Sequence, residues 1–577
     1  MAGYISTKKQ GKNTYYYYRI GYRTKINSEK EGKKRGSGKS KVSVKSTYLG
    51  TAEDILKRQT GKNEPKKVRT RHFGLIAAAY QISSELGLLD ILKKNIEGKR
   101  AGVERWLYFF TAIINRLDYA TSKNKMSRWL KKTILPELLA FDPNKLTSKN
   151  FWYATNDIIS EKELRNLRKK ENVTEDLFVG LGEDTFTKIE TELFNSINQL
   201  INLSPSVIFY DTTNFYTYIQ EPASSKLANT CHSKDSKHSL KHIGLLMAVE
   251  RTHGIPLLNR VYRANRHDSK VLSHVLSDLV ITLKELCGEN SNLMLVLDKG
   301  NNSEDNFRAM QGQITWVGAL VPSHHKDLMK VKLSDYHGYC NGVPYYHCNR
   351  VLMGVECKVI LTFNMASRKK KEHTLKSGIE RLKTKVKEKW NSYKRDPKDV
   401  TQGIRTLLKK DAYGNCVEVS LLEGRLNFEE KVDVIEERKR YFGKHLIFSN
   451  DLDADPGFLI DTYKEKNLIE EDFQLLKDTT IIRFRPIRHW TDTKIRAYAF
   501  CCVVSMTLMR VMQWKVEQAG YKMSPSLLKE ELTDLEEVVM VYSSTDVIRK
   551  ITDRSAVQEK LWNIFKLDEI KMKLLQH

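Results

Sequence analysis

Two short apolar runs each deliver an aspartate: Val207-Ile208-Phe209-Tyr210 leads into Asp211, and Leu293-Met294-Leu295-Val296-Leu297 leads into Asp298. Runs this short, rich in aliphatic, β-branched and aromatic residues, read as strands buried in a core. Strands expected over 207–211, 243–250, 293–298 and 315–321 alternate with helical stretches such as 270–287, which confines this part of the chain to an α/β core. After Asp298, Lys299-Gly300-Asn301-Asn302 turns the chain and Ser303 can cap a helix. An aspartate that closes an apolar strand is also an ordinary turn former, so neither residue defines a chemistry by itself.

A third acid lies far downstream. On a helix turning about 100° per residue, Tyr463, Lys466, Glu470 and Lys477 project within roughly a 60° arc. Leu459 shares that arc, with Ile469, Phe473 and Leu476 along one side. One reading is an amphipathic helix whose edge carries an i,i+4 pair between Lys466 and Glu470. The other is a semi-buried acid with flanking cations for phosphates and an aromatic to pack or stack. Three carboxylates from separate elements can converge to hold two divalent ions, whose mutual repulsion they offset.

These residues resemble the DDE transposases of prokaryotic insertion sequences, specifically the insertion-sequence-four-like group. The Tyr-x2-Arg-x3-Glu-x6-Lys signature of that group is matched in spacing by Tyr463, Lys466, Glu470 and Lys477, with lysine in place of arginine. Other similar segments are Asp211-Thr212-Thr213, His232-Ser233-Lys234-Asp235, Gly254-Ile255-Pro256-Leu257, Asp298-Lys299-Gly300 and Arg485-Pro486-Ile487-Arg488-His489-Trp490. The resemblance spans about residues 200–515, departing at Lys466, at Ala264 where glycine is common, and at Tyr498 where histidine is common. It implies an RNase H-like catalytic core interrupted by a mainly β insertion. It further implies catalytic, metal-ligating roles for Asp211, Asp298 and Glu470, with two Mg²⁺ ions as cofactor and Mn²⁺ able to substitute. The expected activity is cleavage of DNA at the ends of an insertion sequence and strand transfer to target DNA. Tyr463, Lys466, Lys477, Arg485, Arg488 and His489 would contact DNA, and synapsis of two ends would favour a homodimer. A transposase-derived DNA-binding protein without catalysis, and an RNase H-like nuclease without strand transfer, are the alternatives.

The charge pattern points to the same class of partner. The 577-residue chain has a formal net charge of +27, and residues 1–70 hold 19 Lys/Arg against 5 Asp/Glu. A polyanion, double-stranded DNA above all, is the partner such a surplus suits. Tyr15 to Tyr18 and Tyr22 interleave aromatics with that charge, and Gly36-Ser37-Gly38-Lys39 reads as a turn between strands. Eight cysteines occur without a Cys-x-x-Cys pair, which suits reduced thiols. With no apolar signal core and no uncharged run of membrane-spanning length, a cytoplasmic, nucleoid-associated protein is expected.

The organisation expected is a basic β-rich N-terminal unit over 1–70, a helical domain over 71–200 and the first part of the α/β core over 201–330. An inserted mainly β domain over 331–450, the second core part with the acid helix over 451–520 and a helical tail over 521–577 complete it. Within the helical domain, segments near 73–92, 103–117, 126–139 and 175–203 show three and four spacing of apolar residues. Lys123, Lys125, Arg128, Lys131 and Lys132 give it a basic edge that could face a DNA groove.

Overall fold

A computed structural model describes residues 3–25, 40–59, 64–156, 158, 184–203, 206–219, 225–233, 235–288, 292–392, 397–422, 425–542 and 546–576. Lys234, the turn at 36–39 and residues 175–183 lie outside them. The chain divides into two compact units, Met1–Phe73 with Leu535–Ser555 and Gly74–Asp534 with Ala556–His577.

The larger unit begins as helices. The stretch expected over 73–92 breaks at Gly87, whose φ of 62° a residue with a Cβ adopts at a cost, so one helix ends at Glu85 and the next starts at Leu88. There follow α1 (Arg105–Leu117), α2 (Lys123–Leu130), α3 (Ser148–Asn156) and α4 (Thr185–Ile201). Asp184 caps α4, its side chain accepting from the Thr187 backbone N–H.

A nine-stranded mixed sheet is the centre of this unit. In chain order its strands are β1 (Val207–Tyr216), β2 (His242–Glu250), β3 (Pro256–Arg263), β4 (Met294–Leu297), β5 (Thr315–Ala319), β6 (Gly338–Cys340), β7 (Val343–Leu352), β8 (Val355–Phe363) and β9 (Lys444–Ser449). Across the sheet the order is β6-β7-β8-β9-β5-β4-β1-β2-β3. β1, β2 and β3 form an antiparallel meander. Helix α5 (Asp268–Cys287) then carries the chain to β4, which runs parallel to β1 and to β5. β2 and β4 are buried along their whole length, which is why their sequences show no polar alternation.

Asp211 does not end its strand as the apolar run suggested. β1 continues to Tyr216 because β2 pairs with it as far as Tyr216 opposite His242. On the other flank, the parallel pairing with β4 stops at Leu297 opposite Tyr210. Asp211 therefore sits where one neighbour ends and the other goes on.

After β9 come α6 (Pro456–Lys464), α7 (Asn467–Lys477) and α8 (Asp492–Gln518). By length and composition α8 could cross a membrane, yet its most apolar stretch is 94% buried inside the fold. The Phe500 ring lies 4.7 Å from Phe186 and 6.4 Å from Phe109, and Ser505 Oγ donates to the Ile113 carbonyl at 2.8 Å. Burial of each such aromatic stabilises the fold by roughly 1.5–3 kcal/mol. α8 is thus the rod that fastens the helical region, through α1 and α4, to the segment following the acid helix.

The expected mainly β domain over 331–450 is not what forms. β6, β7 and β8 extend the large sheet, because β9 returns to pair with both β8 and β5. What is inserted between β8 and β9 is mostly helical, with helices Met365–Ser392, Pro397–Lys410 and Val432–Lys439 around one hairpin, Val417–Leu422 with Arg425–Glu430. Leu375, Ile379, Cys416, Val417 and Ile435 give it an apolar cluster of its own.

The helical tail expected over 521–577 also needs correction. Strands Glu536–Val541 and Val547–Ile551 interrupt it and join Lys67–His72 in a three-stranded sheet of the smaller unit. A buried ion pair between Arg71 and Glu537 ties that sheet across the chain. The same unit holds an antiparallel sheet of Tyr4–Gln10, Asn13–Lys25 and Ser40–Thr51, on which Tyr17 and Tyr48 rings lie 5.4 Å apart.

Candidate functional site

The register of the parallel pair β1 and β4 sets two carboxylates abreast. Leu297 pairs with Tyr210, so the residues that follow, Asp298 just past the end of β4 and Asp211 still within β1, stand at the same level on neighbouring strands. Adjacent strands are about 4.8 Å apart, a separation that two acids tolerate when a cation is near. Both residues are partly buried. Asp211 Oδ1 accepts from the Thr212 backbone N–H at 2.7 Å, which orients the side chain.

The cation comes from the junction of α6 and α7. A single helix carrying Tyr463, Lys466, Glu470 and Lys477 was the expectation, but hydrogen bonds three residues apart, from Leu468 N to Glu465 O and from Ile469 N to Lys466 O, tighten a turn between two helices. Lys466 lies in that turn and is 5% exposed. Its Nζ stands 3.2 Å from Asp211 Oδ2 and 3.5 Å from Glu470 Oε1. Burial, the largest influence, pulls its pKa down, but Asp211, Asp298 and Glu470 together outweigh it and hold the ammonium above its ordinary value. Tyr463 hydrogen-bonds Asp298, and burial followed by the three carboxylates pushes its phenol well up. All three acids act on both side chains.

Glu470 is the most open member of the group, its side chain 56% exposed, where the sequence pattern suggested a semi-buried edge. The apolar face of α7 packs through Ile469, Phe473 and Leu476, which tilts Glu470 toward solvent. Carboxylate oxygens suit a hard divalent ion in kind. Among the described residues, no three His, Cys, Asp or Glu side chains stand together at metal-binding spacing. At the meeting point of the acids stands the Lys466 ammonium.

Lys477 and Arg485 converge on a carboxylate rather than standing apart. Arg485 forms an ion pair with Asp235, and Lys477 Nζ lies 3.7 Å from the same side chain and 5.7 Å from the Phe215 ring. Asp235 occurs in a segment the sequence comparison singled out, yet its charge carries no signal of what it binds. Asp268 is a further acid that sequence reasoning passed over. It opens α5, accepts from Thr212 Oγ1 at 2.7 Å, and would lie 3.0 Å from a Cβ built on Gly300, so it borders both acid-bearing segments. Arg488 is exposed and lies over the Tyr218 ring at 5.3 Å. His489 sits beside Lys123, with Nδ1 3.4 Å from the ammonium nitrogen. Burial, then Lys123, Arg116 and Lys494, keeps its imidazole well below the usual histidine range.

No family model matches the chain, and no curated protein does. Among solved structures it is similar to piggyBac transposase in a cryo-EM structure of its synaptic complex with hairpin DNA. The identity is 10% and the TM-score 0.40, over 81% of this chain and 82% of that one. A likeness this loose carries no weight in the assignment that follows.

Proposed function

We propose that this chain is a DNA transposase of the DDE type, binding the ends of an insertion sequence and cutting and joining DNA by metal-dependent phosphoryl transfer. One observation carries the reading: Asp211 and Asp298 stand at one level on adjacent parallel strands, and Lys466 bridges Asp211 and Glu470. The strand order β3-β2-β1-β4-β5, with the first three antiparallel and the last two parallel to β1, supports an RNase H-like core. In this reading Asp211, Asp298 and Glu470 would hold two Mg²⁺ ions, or Mn²⁺ in their place. The chemistry such ions supply is activation of a water or 3′-hydroxyl and stabilisation of the leaving oxygen in an in-line displacement.

The chain's own side chains do the rest. Lys466 neutralises Asp211 and Glu470, and its ammonium would be available to a DNA phosphate where divalent ions took over that charge. Tyr463 keeps Asp298 oriented, and Asp235 gathers Lys477 and Arg485, which would reach the DNA backbone only on release from it. Two protomers would hold two ends, in a cytoplasmic protein associated with the nucleoid. The position of the Lys466 ammonium also favours a second reading, a DNA-binding protein whose acids are neutralised by lysine and carry no metal.

A Mg²⁺-dependent assay with labelled DNA from the flanks of the reading frame and a plasmid target separates these readings. D211N, D298N and E470Q are each expected to lose cleavage by more than about 100-fold while retaining DNA binding, since each removes a ligand charge and no basic surface. Cleavage without joined product would identify a nuclease. An active E470Q protein would overturn the triad.

A further inference from the structure

The ladder between β1 and β4 ends at Leu297 opposite Tyr210, one residue short of Asp298 and Asp211. The spacing of the two acids therefore calls for a hold beyond the hydrogen bonds of those strands. Asp268, the first residue of α5, stands where such a hold belongs. Its Oδ1 accepts from Thr212 Oγ1 at 2.7 Å, and the Tyr262 phenol of β3 hydrogen-bonds the same threonine side chain. Its Oδ2 lies against the turn that follows Asp298, 3.0 Å from where a Cβ on Gly300 would stand. Asn306 adds a second tie between the same two places, its Nδ2 donating to the Ser269 carbonyl at 2.9 Å and to the Asn301 carbonyl at 3.0 Å. Asn301 is fastened to Asp298 in turn, its backbone N–H donating to the Asp298 carbonyl at 3.0 Å.

This brace works from behind the acids. Successive side chains on a strand point to opposite faces, so Thr212, which is buried, leaves β1 on the side away from Asp211. Asp268 thus grips the backbone on which Asp211 is mounted without sharing its face. The Thr212 backbone N–H also donates to Asp211 Oδ1, so a shift of the threonine is a shift of the carboxylate. Small shifts matter, because Mg²⁺ demands near-ideal octahedral geometry with ligands at about 2.0–2.1 Å.

We propose that Asp268 is a positioning residue that fixes the separation of Asp211 and Asp298 through Thr212 and Gly300, and with it their affinity for divalent ions. The inference rests on the metal reading of the site. Asp268 acts through an acceptor oxygen and through its bulk, so the side chain of asparagine can stand in for it.

The test is Mn²⁺ binding to the full-length chain without DNA, read by the electron paramagnetic resonance of free Mn²⁺, beside thermal melting in EDTA. T212V and D268A are expected to bind Mn²⁺ at least about tenfold more weakly, the scale on which partners of metal ligands act, with T212S and D268N within about threefold of the parent. G300A presses a Cβ onto Oδ2 and should weaken binding about tenfold as well. It deletes no side-chain hydrogen bond, so it stays informative if T212V fails to fold. A merely structural role would lower the melting temperature of T212V and D268A in EDTA and leave their Mn²⁺ affinity unchanged, which overturns the proposal. D268N as weak as D268A also overturns it, since Asp268 would then act by its charge. D298N and E470Q are the controls. Loss of Mn²⁺ binding in these two, with none in T212V or G300A, strikes this inference alone. Unchanged binding in D298N and E470Q removes the metal reading, and the inference falls with it.

Discussion

At the scale of single residues, the candidate site is organised around an ammonium. Removing Lys466 leaves Asp211 and Glu470 facing each other without their shared cation, a loss of about 1–3 kcal/mol for partly buried charge. K466M is therefore expected to melt lower than the parent in EDTA. The same change deepens the negative potential, so Mn²⁺ should raise the melting temperature of K466M more than that of the parent. An equal or smaller Mn²⁺ shift would mean that the ammonium and the ions do not share a place. Of these residues, Asp211 and Asp298 are legible in sequence because a lone acid after a run of buried strand residues stands out. The part played by Asp235 is not, because an aspartate in a loop looks like any surface charge until tertiary partners surround it.

At the scale of elements, the helical arc drawn from sequence is wrong about continuity, and Lys477 at its far end meets Asp235 instead of the acids. Tyr463 and Lys466 both reach the acids although a tightened turn separates α6 from α7. Periodicity registers side-chain direction, and a turn of hydrogen bonds three apart shifts it little over so short a span. The insertion is misread for a different reason. β7 and β8 do have strand sequences, but only long-range pairing with β9 reveals that they belong to the central sheet. The far end of α7 is fastened by Asp235, which holds Lys477 and the Arg485 that follows. D235N would loosen that joint and free two cations at once. Its DNA affinity should then fall more steeply with salt, the slope of log K against log salt gaining up to about 0.9 per phosphate newly engaged. Nitrocellulose-filter or anisotropy titrations between low and moderate salt would measure this. An unchanged slope would show that Lys477 and Arg485 stay turned from the backbone even when released.

At the scale of the whole molecule, composition alone places a basic region at the N-terminus, and residues 1–59 already carry 15 Lys/Arg against 4 Asp/Glu. Its true boundary is invisible in sequence, because the strand Lys67–His72 takes its partner from Glu536–Val541, far away in the chain. That pairing decides where a deletion can be made. A chain lacking residues 1–59 loses the tyrosine-bearing sheet and most of the local charge but keeps the second sheet of the unit intact. It should melt as the parent does while binding DNA more weakly and with a shallower salt dependence, since fewer counterions are released. A chain lacking residues 1–70 removes most of the edge strand and exposes the backbone of Glu536–Val541, turning a central strand into an edge. Hydrogen exchange over 536–551 should accelerate in the longer deletion only. If both deletions bind DNA with the parent's salt slope, the basic region does not contact phosphates. If the longer deletion exchanges no faster, Lys67–His72 is not what protects the strands from the chain's other end.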